Sequence, residues 1–290
     1  MTSSELAADT PLFSTLVAHD VLRVRGGRRI EGGERDRLAE ETPIALEYNG
    51  ISHATLLATP ADLEDFARGF SLTEGIVPSL ADIRGIELRP ESQGIVIELE
   101  ISSACEFRLK ERRRAMAGRT GCGLCGVETL PEVMRDVPPV TRGAPLQVSA
   151  VLHAMTAMRQ RQSLHAATGA THAAAWAGAD GEVLCVREDV GRHNALDKLL
   201  GALWLAGTDP RSGAVLVSSR ASFEMVQKTA SFGAGILAAV SAPTGLAVRL
   251  AEKSGVSLLG FTRGEDCTVY CLPAGLSFGT LPPIPLPSIP

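Results

Sequence analysis

Ala214-Val-Leu-Val217, Ser218-Ser-Arg-Ala-Ser222 and Phe223-Glu-Met-Val-Gln-Lys228 follow one another as an apolar run, a small polar turn and a periodic stretch. A short unbroken apolar run bounded by polar residues suits a buried strand, and the stretch after it suits a helix. The same order occurs upstream, where Val183-Leu-Cys-Val186 leads through Glu188-Asp-Val-Gly-Arg-His-Asn194 into Ala195-Leu-Asp-Lys-Leu-Leu200. Downstream, Ser241-Ala-Pro-Thr244 precedes the helical run Leu246–Ala251, and Val256–Phe261 reads as a last strand before Thr262-Arg-Gly-Glu-Asp266. Strands alternating with helices predict an α/β fold. In such folds ligands sit beyond the carboxyl ends of strands, where helix N-terminal N–H groups face an anion.

Upstream of this unit, Val148–Gln162 carries Leu152, Met155 and Met158 at helical spacing, with the methionines as core filler. Ile44–Tyr48 and Ile51–Ala58 read as strands joined by a tight Asn49-Gly50 turn. Thr59 is then expected to cap a helix with Pro60 first, Asp62 third, and Leu63, Phe66, Ala67 and Phe70 on one face, ending by Gly75. Alternation in Ile95–Ile101 adds a strand, so this smaller unit is α/β or α+β. It is expected to begin near Leu38. Prolines at 131, 138, 139 and 145 mark a connector. The resulting division is residues 20–127, a connector at 128–147, a second domain at 148–272 and a proline-rich tail at 273–290, read as extended or disordered.

The 290-residue chain holds 45% hydrophobic and 21% charged residues, which excludes a coiled coil or a disordered acidic chain. A formal charge of −5 gives no general basis for nucleic-acid binding, so an anionic ligand requires a local group of Arg, Lys or backbone donors. Six cysteines in this length do not make a disulfide framework and favour a reducing compartment. The start Met-Thr-Ser-Ser-Glu lacks signal-peptide character and no apolar stretch reaches spanning length, so the expectation is a cytoplasmic protein without membrane association.

Chemistry is concentrated in Arg119-Thr-Gly-Cys-Gly-Leu-Cys-Gly126. Glycines at 121, 123 and 126 leave little bulk to bury Cys122 and Cys125, and Arg119 with the Arg112–Arg114 run could stabilise a thiolate. Disulfide exchange, metal binding and sulfane-sulfur transport are all open to such a pair. Cys105 and Cys185 lie in apolar surroundings and read as core residues. Cys267 and Cys271, four apart on a strand, stand about 13 Å from each other, too far to clasp one ion unaided. In the arginine-bearing turns, Arg192 and Arg220 offer forked donors, Lys198 and Lys228 add charge, and Ser218, Ser219 and Ser222 offer hydroxyls to a phosphate or pyrophosphate. Asp189 or Asp197 could accept from a base or fix an arginine. The plainer reading puts Arg192, Asp197 and Lys198 on a solvated helix and Ser222 at a cap. His193 and His172 serve either as ligand contacts or as helix-start and structural histidines.

These segments, with Thr59-Pro60 and Gly69-Phe-Ser-Leu-Thr-Glu-Gly75, resemble the formate dehydrogenase accessory sulfurtransferases, or FdhD-type sulfur carriers, over roughly residues 35–272. The resemblance implies a cytidine-deaminase-like α/β core with a smaller N-terminal α/β region, assembled as a homodimer. It implies sulfur accepted from a cysteine desulfurase as a Cys122 persulfide and passed to the bis-molybdopterin guanine dinucleotide form of the molybdenum cofactor, for formate dehydrogenase. Cys125 matches the second loop cysteine. Phe261, Thr262, Arg263, Gly264, Glu265 and Asp266 match a cofactor-contact segment, and the guanine-nucleotide pocket draws on Arg192, His193, Ser218, Ser219 and Arg220. No iron–sulfur cluster or resident metal is implied. Rival readings are a zinc deaminase, whose His/Cys-x-Glu and Pro-Cys-x-x-Cys combination is missing here, and a structural zinc site on Cys122, Cys125, Cys267 and Cys271. The nearest alternative is a non-enzymatic chaperone of the cofactor.

Overall fold

The computed structural model describes residues 13–30, 34–117, 137–143, 145–273 and 275–279, with main chain alone over 112–117. The chain enters through a two-stranded ribbon, β1 (Leu16–Val21) against β4 (Glu34–Ala39), tipped by the hairpin β2 (Val24–Arg25) and β3 (Arg28–Arg29). Regular structure therefore starts well before Leu38, and the expected boundary at residue 20 falls inside a strand. β5 (Thr42–Tyr48) and β6 (Ile51–Ala58) form the expected hairpin, with Asn49 and Gly50 both at positive φ. Helix α1 (Leu63–Thr73) follows. Thr59 does not cap it: Asp62, at φ 52°, stands at the N-cap, and the Thr59 hydroxyl instead accepts from Val190 N at 3.1 Å.

β7 (Ile83–Glu91) and β8 (Gly94–Ile101) complete a four-stranded sheet of order β6-β5-β8-β7, and α2 (Ser103–Ala117) runs on from it. Ile44, Leu46, Tyr48, Ile95, Ile97 and Leu99 point to one face, where Leu63, Phe66 and Ala67 of α1 cover them. Strand alternation and helix periodicity thus close the first core together.

The expected connector ends early. Leu146–Gln147 is already β9, paired in parallel with β16 (Leu276–Ser277), so part of the expected tail is bound to the fold. Then come α3 (Val148–Gln160), α4 (Ser163–Thr168), β10 (His172–Gly178), β11 (Val183–Asp189), α5 (Arg192–Leu205), β12 (Gly213–Val217), α6 (Phe223–Phe232), β13 (Ile236–Ala239), α7 (Gly245–Ser254), β14 (Ser257–Arg263) and β15 (Asp266–Cys271). The six longer strands form one mixed sheet of order β11-β10-β12-β13-β14-β15, in which β12, β13 and β14 run parallel. Helices cover both faces, as buried apolar runs require. Val215, Val217, Leu237, Ala239 and Leu258 meet α5, α6 and α7, while Ala214, Leu216, Ile236, Ala238 and Leu259 meet α3 through Val151, Met155 and Met158.

The two units are joined by close backbone approach. A Cβ built on Gly69 of α1 would stand 1.8 Å from the Asp197 carbonyl oxygen of α5, and one on Gly201 1.9 Å from that of Asp65. Only glycines at both positions let these helices cross so tightly. Buried ion pairs flank the crossing. Lys198 lies 2.6 Å from Asp189 and donates to the Thr59 carbonyl at 2.8 Å; Lys228 reaches Asp197 at 2.9 Å and Glu74 at 2.8 Å. Arg187 reaches Asp65 at 2.8 Å.

Candidate functional site

The parallel strands β12, β13 and β14 end at one edge of the sheet, and the antiparallel neighbours bring the start of β10 and the end of β11 to that same edge. Helices α5, α6 and α7 each begin there, so three N-termini direct free backbone N–H groups toward one region. The loops are tied to one another by backbone bonds: Ser241 N to Ser219 O at 3.4 Å, Thr244 N to Ala221 O at 3.1 Å, and Phe261 N to Ser241 O at 3.3 Å. The edge is consequently a fixed framework.

Several buried polar atoms on it have no partner among the described residues. Arg192 Nε, in the first turn of α5, makes no hydrogen bond, and neither does Ser222 Oγ at the start of α6 or Thr262 Oγ1 in β14. A buried polar group without a partner costs about 1–3 kcal/mol, and three of them lie at this edge. Ser222 occupies the N-cap position without a side-chain cap bond, whereas Thr244, the equivalent residue of α7, accepts from Ala247 N at 3.3 Å as a cap should. Arg220 is exposed beside them.

His193 Nε2 lies 2.5 Å from Glu224 Oε2, and this side-chain contact holds the Glu224 carboxyl below its usual range. Burial first, and then the neighbouring Arg192, His165 and His193, push the His172 imidazole down from its ordinary value, so it stays neutral more readily than a free histidine. Phe261 is half exposed at φ 51°, a left-handed conformation strained for an aromatic residue. Gly264, at φ 58°, turns the chain between β14 and β15, where Arg263 pairs with Asp266; Glu265 completes the exposed turn. Arg263 Nε donates to Val240 O at 3.0 Å, tying this turn to the loop after β13.

The expected residues divide. Arg192, His193, Ser218, Ser219, Arg220 and the Phe261–Asp266 segment share the edge. Ser218 Oγ accepts from Ala173 N at 2.8 Å and Ser219 Oγ donates to Arg220 O at 3.0 Å, so both also hold loop shape. Asp197, Lys198 and Lys228 are neither pocket residues nor solvated; they are buried in the junction between units. Asp189 is fully used by Thr59 N, Gly191 N, Asn194 and Lys198. Glu224 and the uncapped Ser222 hydroxyl were not singled out as a unit by sequence; their one signal is that Ser222 ends the polar turn after the most apolar strand and Glu224 stands in the first turn of the helix that follows.

Cys122, Cys125 and Arg119 lie outside the described residues, and so does the zinc reading built on the first two. Among the described cysteines, burial pushes the Cys185, Cys267 and Cys271 thiols up, which disfavours thiolate chemistry there. Cys267 and Cys271 also pack against different cores, on opposite sides of the sheet. Among the described residues no group of His, Cys, Asp and Glu could hold a metal ion, and no helix is long and apolar enough to cross a membrane.

A mixed α/β sheet with three helix N-termini at one edge defines the class, and the comparisons supply the family. The FdhD/NarQ family model matches residues 39–276, and this chain belongs to that family. A "Sulfur carrier protein FdhD" from Bordetella petrii is 69% identical over 256 residues, covering 88% of this chain and 92% of that protein. Its counterpart from Cupriavidus necator is 60% identical over 241 residues, covering 83% and 84%. The crystal structure of a candidate formate dehydrogenase accessory protein from Desulfotalea psychrophila shares the fold, with a TM-score of 0.72 at 24% identity, covering 91% of this chain and all of that one.

Proposed function

We propose that this chain is a sulfur carrier acting as a sulfurtransferase through a cysteine persulfide, in the sulfuration of the molybdenum cofactor for formate dehydrogenase maturation. Family membership, at 69% identity to a sulfur carrier, carries the reading. Cys122 is the carrier atom in this proposal. Its thiolate attacks the outer sulfur of a cysteine desulfurase persulfide; a new S–S bond forms, the donor S–S bond breaks, and the donor cysteine leaves as a thiolate. Cys125 is the resolving or tuning neighbour.

The sheet edge is the proposed cargo site, and its substrate is the bis-molybdopterin guanine dinucleotide cofactor. Arg192 Nε, Ser222 Oγ, Thr262 Oγ1, exposed Arg220 and three helix N-termini fit an anion such as its pyrophosphates. Phe261 is half exposed on the same edge and suits stacking on a flat ring system. His193 lies within the first turn of α5, where its contact with Glu224 fixes the ring. Arg263 and Gly264 shape the turn that bounds the site. The order β11-β10-β12-β13-β14, with β10 antiparallel to its neighbours, supports placing the core in the cytidine-deaminase-like class. We further place the protein in the cytoplasm, as a homodimer of two-unit chains, with the cysteine desulfurase as donor and formate dehydrogenase as client.

The test is intact and peptide mass spectrometry after incubation with a cysteine desulfurase and cysteine, comparing the parent with Cys122→Ser and Cys125→Ser and following sulfur into the cofactor. A labile extra sulfur on Cys122 that leaves for the cofactor is expected. A parent that binds cofactor while neither cysteine acquires transferable sulfur would replace the carrier by a chaperone.

A further inference from the structure

The β1–β4 ribbon is a two-stranded sheet that no further strand extends among the described residues, with Val17, Leu22, Val24 and Leu38 from 40% to 58% exposed. β4 rests on α4, while every residue of the ribbon's tip from Leu22 to Arg29 is exposed, and a hairpin end of this kind is marginal in water unless something covers it. Its tip, Leu22-Arg-Val-Arg-Gly-Gly-Arg-Arg-Ile30, carries four arginines and no acid. Arg23 is used internally, paired with Glu34 and Asp36. Arg25, Arg28 and Arg29 are exposed and make no ion pair with a described residue. The tip therefore presents three unneutralised guanidiniums beside two exposed apolar side chains.

A complementary surface lies on the same chain. Across the solvent face of the N-terminal sheet, Glu47 of β5 stands opposite Glu98 of β8, and Glu98 stands opposite Glu87 of β7. Like charges directly opposite on neighbouring strands are destabilising, yet three occur in one row. Arg89 is a partial answer, 3.6 Å from both Glu47 and Glu98 and 3.4 Å from Glu91. Glu87 and Glu100 keep no ion partner among the described residues. Beside them a hollow of about 370 Å³, lined by Asn49, Gly85, Glu87, Glu98 and Glu100, opens where the β7–β8 register shifts. Gly85 faces Glu100 there without a side chain to fill the space.

We propose that the arginine tip of the ribbon docks in this acidic hollow on a second copy of the chain, and reciprocally. It rests on the self-association proposed above and specifies the surfaces. Arg25, Arg28 and Arg29 would relieve the glutamate row, and Leu22 and Val24 would lose their exposure. Two reciprocal contacts make a closed twofold pair rather than a filament. Electrostatic complementarity of this kind fixes partner and orientation.

The full chain is examined by light scattering across a concentration series at low and high salt. It is compared with Arg25→Glu/Arg28→Glu/Arg29→Glu and with Glu87→Lys/Glu100→Lys, all at exposed positions. The parent is expected at twice the chain mass, with salt weakening the pair. Each charge-reversed protein is expected as a single chain, its dissociation constant raised about a hundredfold. Mixing the two restores the double mass, since glutamate tips then meet lysine hollows while the unaltered tips meet unaltered hollows. A parent that stays a single chain overturns self-association and the docking together, leaving the ribbon for another partner. A double mass that both reversals leave intact keeps self-association and overturns these surfaces. Single chains that fail to recombine on mixing overturn the tip-to-hollow contact.

Discussion

Replacing Lys228 by Met should destabilise the protein by about 3–5 kcal/mol, the range expected when one member of a buried ion pair is removed. Lys228 is 5% exposed and Asp197 1%. The ammonium reaches both Asp197 oxygens at 2.9 and 3.0 Å, Glu74 at 2.8 Å and Thr73 Oγ1 at 2.9 Å. Methionine matches the length but leaves Asp197 buried beside Glu74 with, among the described residues, only Thr73 to donate to it, at 2.7 Å. Burial already raises the Asp197 carboxyl, and loss of the cation raises it further. A folded-state pKa above the unfolded one means that the folded state binds the proton more tightly. The variant should therefore lose stability as pH rises above the unfolded carboxyl value of about 3.9 and regain it as pH falls back toward that value. Urea unfolding read by tryptophan fluorescence is the assay, because Trp176 and Trp204 both pack on Phe232 of the same helix as Lys228. Adding Asp197→Asn to Lys228→Met should recover much of the loss. A Lys228→Met midpoint equal to the parent's at pH 7.5, or a double variant that loses the full sum of both single changes, would refute this account of the junction.

Gly69→Ala should cost about 3 kcal/mol, although helix propensity alone favours alanine by about 1 kcal/mol; a stabilised variant in thermal unfolding would contradict the close α1–α5 crossing. His172 has its pKa lowered in the folded state, so the unfolded chain takes the proton first and stability should fall as pH drops below about 6.5. His172→Gln should flatten that part of a melting-temperature profile, and an unchanged slope would remove His172 from it. Phe261→Gly should relieve the left-handed backbone and stabilise the fold by about 1 kcal/mol, while weakening binding of guanosine diphosphate in calorimetry. Tighter nucleotide binding by that variant would argue against a ligand contact there.

The C-terminal half was the more legible because its strands are buried on both faces. Ala214–Val217 and Val256–Phe261 announce themselves as apolar runs, and the turns after them are polar for a reason the sheet edge makes plain. His172–Gly178 was missed as a strand. Its run of alanines has weak strand preference, and what makes it a strand is the sheet's demand for small residues between two helical layers, a tertiary requirement. Ile83–Glu91 was missed too, as an edge strand with a register shift near Gly85. Thr59 satisfied the local rules of a helix cap and was nevertheless drawn away to Val190, 131 residues distant in sequence. Lys198, read as solvated or as charge for a phosphate, and Lys228, read as charge for a phosphate, were misread for the same reason: the partner that buries a helix charge is not visible in local sequence.

Departures from local rules at the sheet edge point in one direction. Ser222 stands at a helix cap without capping, while Thr244 at the corresponding point of the next helix does cap. Arg192 buries its Nε without a partner, Thr262 does the same with a hydroxyl, and Phe261 takes a backbone conformation that glycine would adopt freely. Each departure costs stability that ordinary packing could have avoided, and sites that violate several local rules together are where function is expected to have been selected over stability. The buried junction supports this concentration of cost. The Gly69–Gly201 crossing and the Lys198–Asp189 pair fix α5 against the N-terminal unit, so the first turn that carries Arg192 and His193 is anchored from behind. A polar ligand arriving at the edge would find donors already held in place, and the stability forgone there would return as binding energy.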